Sequence, residues 1–318
     1  MKIISTGRYI PPSVLTNADL VNSLDITSEW ILSNSGIKNR HISSGENTHT
    51  MAYNASLAAL EKASLSPQKI DLIIVCTCTA DAFIPSVACM VQKELGISNC
   101  MSFDINAACS GFIYGLTVVQ SLMNTGKFKY ALLIGADVLS KLIDWEDKNT
   151  CIHFGDGAGS AVIEYSPKSC LEYTYCDAKP DNETIISGGI PIKNPFFKST
   201  HLDYKIKMEP NEVIKFADDI ITYSINKILI ETTTPISEID YFVCCQLNSN
   251  TLGKIAKNLH VNENKFYMNF ENYGNTSSAG IPIALDEMED KGLIKEGSKI
   301  LVICFGAGLT WGAALVNW

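Results

Sequence analysis

Phe154-Gly155-Asp156-Gly157-Ala158-Gly159-Ser160-Ala161-Val162-Ile163 returns in kind as Phe305-Gly306-Ala307-Gly308-Leu309-Thr310-Trp311-Gly312-Ala313-Ala314-Leu315. Each copy is a glycine-rich turn running into small and apolar residues that suit a buried strand. Two further pairs stand upstream in the same order. Ile70-Asp71-Leu72-Ile73-Ile74-Val75-Cys76 matches Ile239-Asp240-Tyr241-Phe242-Val243-Cys244, and Met101-Ser102-Phe103-Asp104 matches Met268-Asn269-Phe270-Glu271. Any one match is weak, but three in register imply an internal duplication.

Around these anchors, strand-like runs at 72–77, 101–105, 130–135, 241–245, 266–270 and 299–305 alternate with helical patterns at 51–63, 111–123, 212–230 and 278–290. The alternation has no low-complexity linker and defines an α/β chain. The opening Met1-Lys2-Ile3-Ile4-Ser5-Thr6-Gly7 reads as a first strand rather than a leader, so a cytoplasmic protein is expected.

At 318 residues the chain can bury a large core. Apolar residues make up 46%, yet no apolar run reaches the roughly 18 residues a bilayer requires, so no membrane association is expected. The net charge of −9 and the lack of a basic cluster weigh against nucleic acid as a partner. Eleven cysteines without disulfide or metal spacing fit a reduced compartment. Cys76, Cys78, Cys89 and Cys304 lie in apolar runs and read as small buried hydrophobes. A metal centre built from Cys76, Cys78, Cys244 and Cys245 is the weaker reading, and no metal is expected.

Cys109 differs from the others. It sits in Phe103-Asp104-Ile105-Asn106-Ala107-Ala108-Cys109-Ser110-Gly111-Phe112, where a strand hands over to a helix. The partial positive end of a helix stabilises a thiolate without a neighbouring base. Asn275 follows the second copy's strand at a similar distance. In a duplicated α/β unit, such strand ends face one another across one cleft.

Four segments then carry a specific resemblance: Asp104-Ile105-Asn106-Ala107-Ala108-Cys109-Ser110-Gly111-Phe112, His153-Phe154-Gly155-Asp156-Gly157-Ala158-Gly159, Tyr273-Gly274-Asn275-Thr276-Ser277-Ser278-Ala279 and Phe305-Gly306-Ala307-Gly308-Leu309-Thr310-Trp311-Gly312. In this order they resemble β-ketoacyl-acyl-carrier-protein synthase III, of the thiolase superfamily, over essentially the whole chain. The resemblance implies a thiolase-like five-layered αβαβα fold from two duplicated halves. These are 1–168 with the nucleophile, a connecting and pocket segment at 169–209, and 210–318 with Asn275. It also implies a homodimer, and an acyltransferase that loads an acyl group from acyl-CoA or acyl carrier protein onto Cys109 and condenses it with a malonyl thioester. Coenzyme A or a phosphopantetheine thioester is then substrate, and no cofactor is expected.

The family's triad is Cys-His-Asn, and Cys109 and Asn275 match its outer members. Its histidine lies in a Val-Pro-His-Gln-Ala-Asn motif, which here is Val243-Cys244-Cys245-Gln246-Leu247-Asn248, so Cys245 occupies the histidine position. The backbone N–H groups of Cys109 and Ala307 match the oxyanion donors. Trp30 matches the residue that stacks on adenine, and Lys215 and Asn248 match positions along the pantetheine channel and its mouth. Two arginines of the family, cationic contacts to the nucleotide phosphates, are replaced by Asn34 and Asn250, and Lys148 stands where a third is expected. Phe83 and Ile84 match a loop that closes the partner subunit's acyl pocket. Lys205, Lys207, Lys215, Lys254 and Lys257 form a candidate basic rim for an acidic carrier.

The substitution at 245 affects the two half-reactions unequally. Acylation needs a thiolate and an oxyanion hole, both retained. Decarboxylation places enolate charge on an oxygen that the family holds with histidine and asparagine, and a thiol donates poorly. Losing one such donor costs roughly 2.7–4 kcal/mol. Gln246 is expected to face away. His153, beside the glycine turn, is the one substitute base in reach, though a packed structural role suits it better; His41, His49, His201 and His260 read as surface or loop residues. The expectation is therefore an acyltransferase of fatty acid, polyketide or secondary metabolism with impaired condensation. The alternatives are a non-condensing subunit in a heterodimer with a homologous synthase, and an ordinary chain-initiating synthase.

Overall fold

Branched apolar runs build two five-stranded sheets. The computed structural model describes residues 1–189, 203–244 and 249–318, with backbone alone at 249 and 250. The first sheet takes Lys2–Tyr9 (β1), Leu72–Cys76 (β2), Met101–Ile105 (β3), Tyr130–Asp137 (β4) and Gly157–Glu164 (β5), in the order β1-β5-β4-β2-β3. The second takes Leu171–Ala178 (β6), Tyr241–Cys244 (β7), Phe266–Tyr267 (β8), Lys299–Gly306 (β9) and Thr310–Asn317 (β10), in the order β6-β10-β9-β7-β8. Position for position the orders are the same. So is the sense of pairing: the first two ladders of each sheet are antiparallel and the last two parallel. One offset carries Lys2 to Leu171, Leu72 to Tyr241 and Tyr130 to Lys299. The duplication inferred from the echoes is thus a duplication of topology, but only the echo of 70–76 with 239–244 keeps this offset: Met101 is matched by Phe270 rather than Met268, and Gly306 answers Asp137 rather than Gly155.

Helices Thr48–Lys62 (α1), Gly111–Met123 (α2), Pro210–Thr232 (α3) and Gly280–Asp290 (α4) complete the layers. Both α2 and α4 touch strands of both sheets and form the central layer; α1 covers the outer face of the first sheet and α3 that of the second. The central position explains the apolar excess. In α2 the residues Phe112, Ile113, Leu116, Val119 and Met123 are all fully buried, each contributing about 1.5–3 kcal/mol by leaving water.

The segment 169–209 supplies β6 to the second sheet and a small hairpin, Ile185–Ser187 with Ile206–Met208. The run 266–270 departs from the expected strand. Only Phe266 and Tyr267 pair with β7, Asn269 leaves the extended region (φ −131°, ψ −6°), and Phe270 opens a short helix, Phe270–Tyr273, that buries its ring. Cys89 is likewise corrected. It is exposed on the helix Val87–Glu94, whose inward positions are Val87, Ala88 and Val91, so helical period overrides local apolarity. Cys76 and Cys304 are buried, while Cys78 is half-buried.

Two polar clamps fix the layers. Between the halves, Lys62 at the end of α1 lies 2.6 Å from Asp286 and 2.7 Å from Asp290 of α4, and Arg8 of β1 pairs with the same two carboxylates. Asp286 is almost wholly buried. Near the free edge of the first sheet, Asp81 accepts the N–H groups of Thr48 (3.0 Å) and His49 (2.7 Å), together with Lys141 Nζ (2.6 Å). It thereby caps α1 from outside its own chain segment and anchors the loop that projects Phe83 and Ile84, exposed by 82% and 88%.

Candidate active site

Cys109 stands on a turn held from three sides. Ala108 takes a left-handed conformation (φ 45°), unusual for a residue with a Cβ, and opens the single 3₁₀ turn Ala108–Ser110 ahead of α2. Ser110 Oγ donates to Ala107 O at 2.7 Å and lies 2.6 Å from Thr310 Oγ1, which itself sits 3.0 Å from Ala307 O. The Cys304 thiol meets Cys109 O at 2.8 Å. At Gly306 a Cβ would fall 2.8 Å from Cys109 N, so only glycine lets β9 come this close beneath the nucleophile. Residues 305–310 of the second half are therefore pressed against the nucleophile turn of the first.

The offset that relates the sheets also relates the turns. It carries Gly111 to Gly280, Asn106 to Asn275 and Cys109 to Ser278. Ser277 repeats the left-handed conformation of Ala108 (φ 54°), and Ser277–Ala279 repeats the 3₁₀ turn. The positional mate of Cys109 is thus Ser278, one turn beyond Asn275. The same offset places Asp137, at the end of β4, where the second half has Gly306. Asp137 is fully buried, and its carboxylate accepts Ser278 Oγ (2.8 Å), Cys78 N (2.8 Å), Thr77 Oγ1 (3.0 Å) and Thr79 Oγ1 (3.0 Å). The mate turn is closed by a carboxylate, whereas a glycine leaves the nucleophile turn open. Of the two equivalent positions, Cys109 lines the cavity and Ser278 does not. An acid ending an apolar strand was the sequence signal for Asp137, and the motif reading passed over it.

Asn275 Oδ1 lies 3.9 Å from Cys109 Sγ and accepts the Ser277 N–H at 2.7 Å. That bond sets the amide's orientation and leaves Nδ2 as the end that donates to a ligand oxygen. The Asn275 backbone is fixed as well: its N–H reaches His153 O at 2.7 Å, and its carbonyl accepts Gly155 N at 2.9 Å. His153 itself lies on the pocket wall. Burial, reinforced by the Arg40 guanidinium, pushes its imidazole down to about 4, so the ring is neutral at physiological pH and too weak a base to deprotonate a thiol. Arg40 is buried and brought to about 10 by that burial; it spends its N–H groups on Asn17 Oδ1 and the Leu15 and Ile152 carbonyls. His49 is held by Asp81 and Glu94, His41 Nδ1 meets Pro11 O, and His260 is exposed; His201 lies outside the described residues. Burial, then Asp137, pushes the Cys76 and Cys78 thiols up, which keeps them protonated. Among the described residues no group of three or more His, Cys, Asp or Glu is placed to hold a metal ion.

The turns open onto a cavity of about 1670 Å³ lined by Cys109, Asn275, Phe305, Ala307, His153 and Trp30 among others. That exceeds the roughly 300–1,000 Å³ of an ordinary small-molecule site and suits a long extended ligand. Of the residues singled out in the sequence, Cys109, Asn275, Ala307 and Trp30 share this cavity, and Asn34 and Phe83 line it too. Lys148 approaches from beside it, its Nζ 5.5 Å from the Trp30 ring centre. Lys215 is exposed on α3; its neighbours Val213 and Ile214 line the cavity, and Lys215 does not. Cys245, Gln246 and Asn248 lie outside the described residues, as does the Asn250 side chain.

A duplicated five-layered α/β fold, with a cysteine set where the two copies meet, is that of the thiolase-like synthases. Segments 103–177 and 229–318 match the models of 3-oxoacyl-[acyl-carrier-protein (ACP)] synthase III and of its C-terminal part. The chain belongs to the 3-oxoacyl-[acyl-carrier-protein] synthase III family. It is 44% identical over 321 residues to the β-ketoacyl-[acyl-carrier-protein] synthase III of Clostridium novyi, covering 100% of this chain and 99% of that one. It superposes on the Aquifex aeolicus 3-oxoacyl-[acyl-carrier-protein] synthase III with a TM-score of 0.92 at 39% identity, over 100% and 99% of the two chains. For the priming β-ketosynthase of the R1128 polyketide pathway the values are 0.90 and 27%, over 99% and 96%. The relatives are named as synthases, and the chain is an enzyme of that transferase type. No helix among the described residues is long and apolar enough to cross a membrane.

Proposed function

We propose that the protein is an acyltransferase of synthase III type in which Cys109 accepts an acyl group from a thioester and condensation is slowed by the cysteine at position 245. The observation that carries this reading is the placement of Cys109 Sγ beside Asn275, on turns from opposite halves, in one cavity. The helix start of α2 favours the thiolate. Attack on the donor carbonyl forms the Cys109 thioester. The transient oxyanion lies between the N–H groups of Cys109 and Ala307, and the departing thiol takes the proton that Cys109 gives up. Asn275 Nδ2 then holds the carbonyl oxygen of the second thioester.

Decarboxylation of a malonyl thioester would place enolate charge on that oxygen with one strong donor missing. The cost is roughly 10²–10³ in rate. The acyl group on Cys109 is then long-lived enough to pass to a hydroxyl, an amine or a carrier thiol, in fatty acid, polyketide or other secondary metabolism. Ordinary chain initiation is the second reading, favoured by full-length similarity to the Clostridium novyi synthase. A non-condensing partner of a homologous synthase is the third. The exposed Phe83 and Ile84 beside the free edge of β3 support a cytoplasmic dimer joined across that edge, of two copies of this chain in the leading reading. Lys215, Lys254 and Lys257, all exposed, support a docking rim for an acidic acyl carrier protein. Lys205 and Lys207 are drawn off by Asp144 and Asp203.

Intact-mass analysis after incubation with acyl thioesters tests the first step. An acyl adduct present in the protein and lost in Cys109→Ala is expected, and no adduct from any donor overturns it. Release of carbon dioxide from a malonyl thioester tests the second. Cys245→His should raise it about 10²-fold, and an unchanged rate removes the account of the missing donor.

A further inference from the structure

The Cys109 N–H belongs to the first half of the molecule and the Ala307 N–H to the second, so two donors to one oxyanion are carried by separate copies. We propose that Thr310 is a positioning residue for acylation: its hydroxyl bridges the nucleophile turn and the Ala307 carbonyl and fixes the two N–H groups relative to each other. This rests on the acyl-transfer reading of the same cavity and names what aligns that step.

Ala307 stands between Gly306 and Gly308, the second at φ 131°, in a stretch of backbone with the fewest conformational restraints of its own. Thr310, which lines the cavity with Ala307 and Cys109, closes on it from both ends of its side chain. Its methyl group packs on the loop, so that a Cβ at Gly308 would fall 2.9 Å from Thr310 Cγ2. Its Oγ1 lies 3.0 Å from Ala307 O, 2.6 Å from Ser110 Oγ and 3.2 Å from Ala107 O. Ser110 Oγ is fully buried and gives its proton to Ala107 O at 2.7 Å. The one proton of Thr310 is therefore held among acceptors of both halves, Ser110 Oγ on the nucleophile turn and Ala307 O on the facing loop.

The duplicated half shows that the turn itself closes without this bridge. The offset that carries Cys109 to Ser278 carries Ser110 to Ala279 and Lys141 to Thr310. Ala279 has no hydroxyl, yet its N–H reaches Thr276 O at 3.2 Å, the distance at which the Ser110 N–H reaches Ala107 O. Lys141 spends its Nζ on Asp81. The hydroxyl pair thus belongs to the turn that carries the thiol, and not to the 3₁₀ turn as such.

Acylation and alkylation of Cys109 separate this role from general damage. Acylation adds the thiolate to a carbonyl and passes through an oxyanion, whereas alkylation by iodoacetamide displaces iodide from a saturated carbon and forms none. Thr310→Val keeps the branched shape and loses the hydroxyl. It is expected to lower the saturating rate of acylation by about 10²-fold, with the half-saturating thioester concentration and the pH profile of alkylation unchanged within about twofold. Thr310→Ser, which keeps the hydroxyl, should return acylation to within about threefold of the parent. Acylation of Thr310→Val within about threefold of the parent overturns the proposal, and so does an equal fall in alkylation, which would place the damage at the thiol. Should Thr310→Val fail to fold, Ser110→Ala decides from the other end of the bridge: acylation slowed by about tenfold at unchanged alkylation upholds it, and equal acylation overturns it. A parent that is alkylated but takes no acyl group from any thioester fells the acyl-transfer reading and this proposal with it, whereas a parent that is acylated beside an indifferent Thr310→Val fells this proposal alone.

Discussion

His153 is a histidine on a pocket wall whose charge has been removed by its surroundings. An unfolded histidine takes up a proton near 6.5, whereas the folded one, buried and beside Arg40, does so only near 4. The unfolded state therefore binds the extra proton first as pH falls. The stability involved is fully present above about 6.5 and is lost progressively down to about 4. Urea midpoints at pH 7.5 and pH 4.5 should show this protein losing about 2 kcal/mol more than His153→Gln across that interval. An equal loss in the two proteins would show that the ring is not held neutral. Cys109, Asn275 and the Gly306 turn were legible in the sequence because local glycines and turn residues mark them. Asp137 carries a local mark, an acid ending an apolar strand, but its role was not legible because its partners Ser278 and Thr77 lie 141 and 60 positions away. Pairing Asn275 with Cys109 by counting from Met101 and Met268 located the right loop but missed the positional mate, Ser278, since the offset that relates the sheets pairs Met101 with Phe270.

At the scale of elements, apolar periodicity found α1 to α4 within a few residues and both central parallel strands, but not the helices Val87–Glu94 and Ser249–Asn258. It failed where tertiary contacts set the end of an element, as at Asn269. Helix α1 shows how such contacts act. Its N-cap residue Asn47 makes no side-chain capping bond, and Asp81 serves the first-turn N–H groups from a loop more than thirty positions away. Asp81→Ala is expected to cost about 1–2 kcal/mol and to expose the 79–86 loop to protease. A midpoint of unfolding unchanged from the parent would show that the cap carries no weight. Because that loop also projects Phe83 and Ile84, the same substitution should weaken self-association in sedimentation.

For the whole molecule, the class of fold was readable from the repeats, and its halves are welded by a cluster no repeat predicts: Arg8 and Lys62 of the first half on Asp286 and Asp290 of the second. Asp286→Ala leaves Arg8 and Lys62 each with only Asp290, which is much more exposed. A loss of about 3 kcal/mol in urea unfolding is expected, and a loss below about 0.5 kcal/mol would reduce the cluster to surface decoration. The division of labour between the halves also orders events in time. Ser110, next to Cys109, leaves the ribosome 200 residues before Thr310, the residue that braces the turn. At roughly 5–20 residues per second that gap lasts ~10–40 s. Throughout it the thiol rides on a nascent chain that has neither Asn275 nor the Ala307 N–H. Because the cavity is split between an early and a late copy, Cys109 acquires these neighbours only when synthesis is nearly complete.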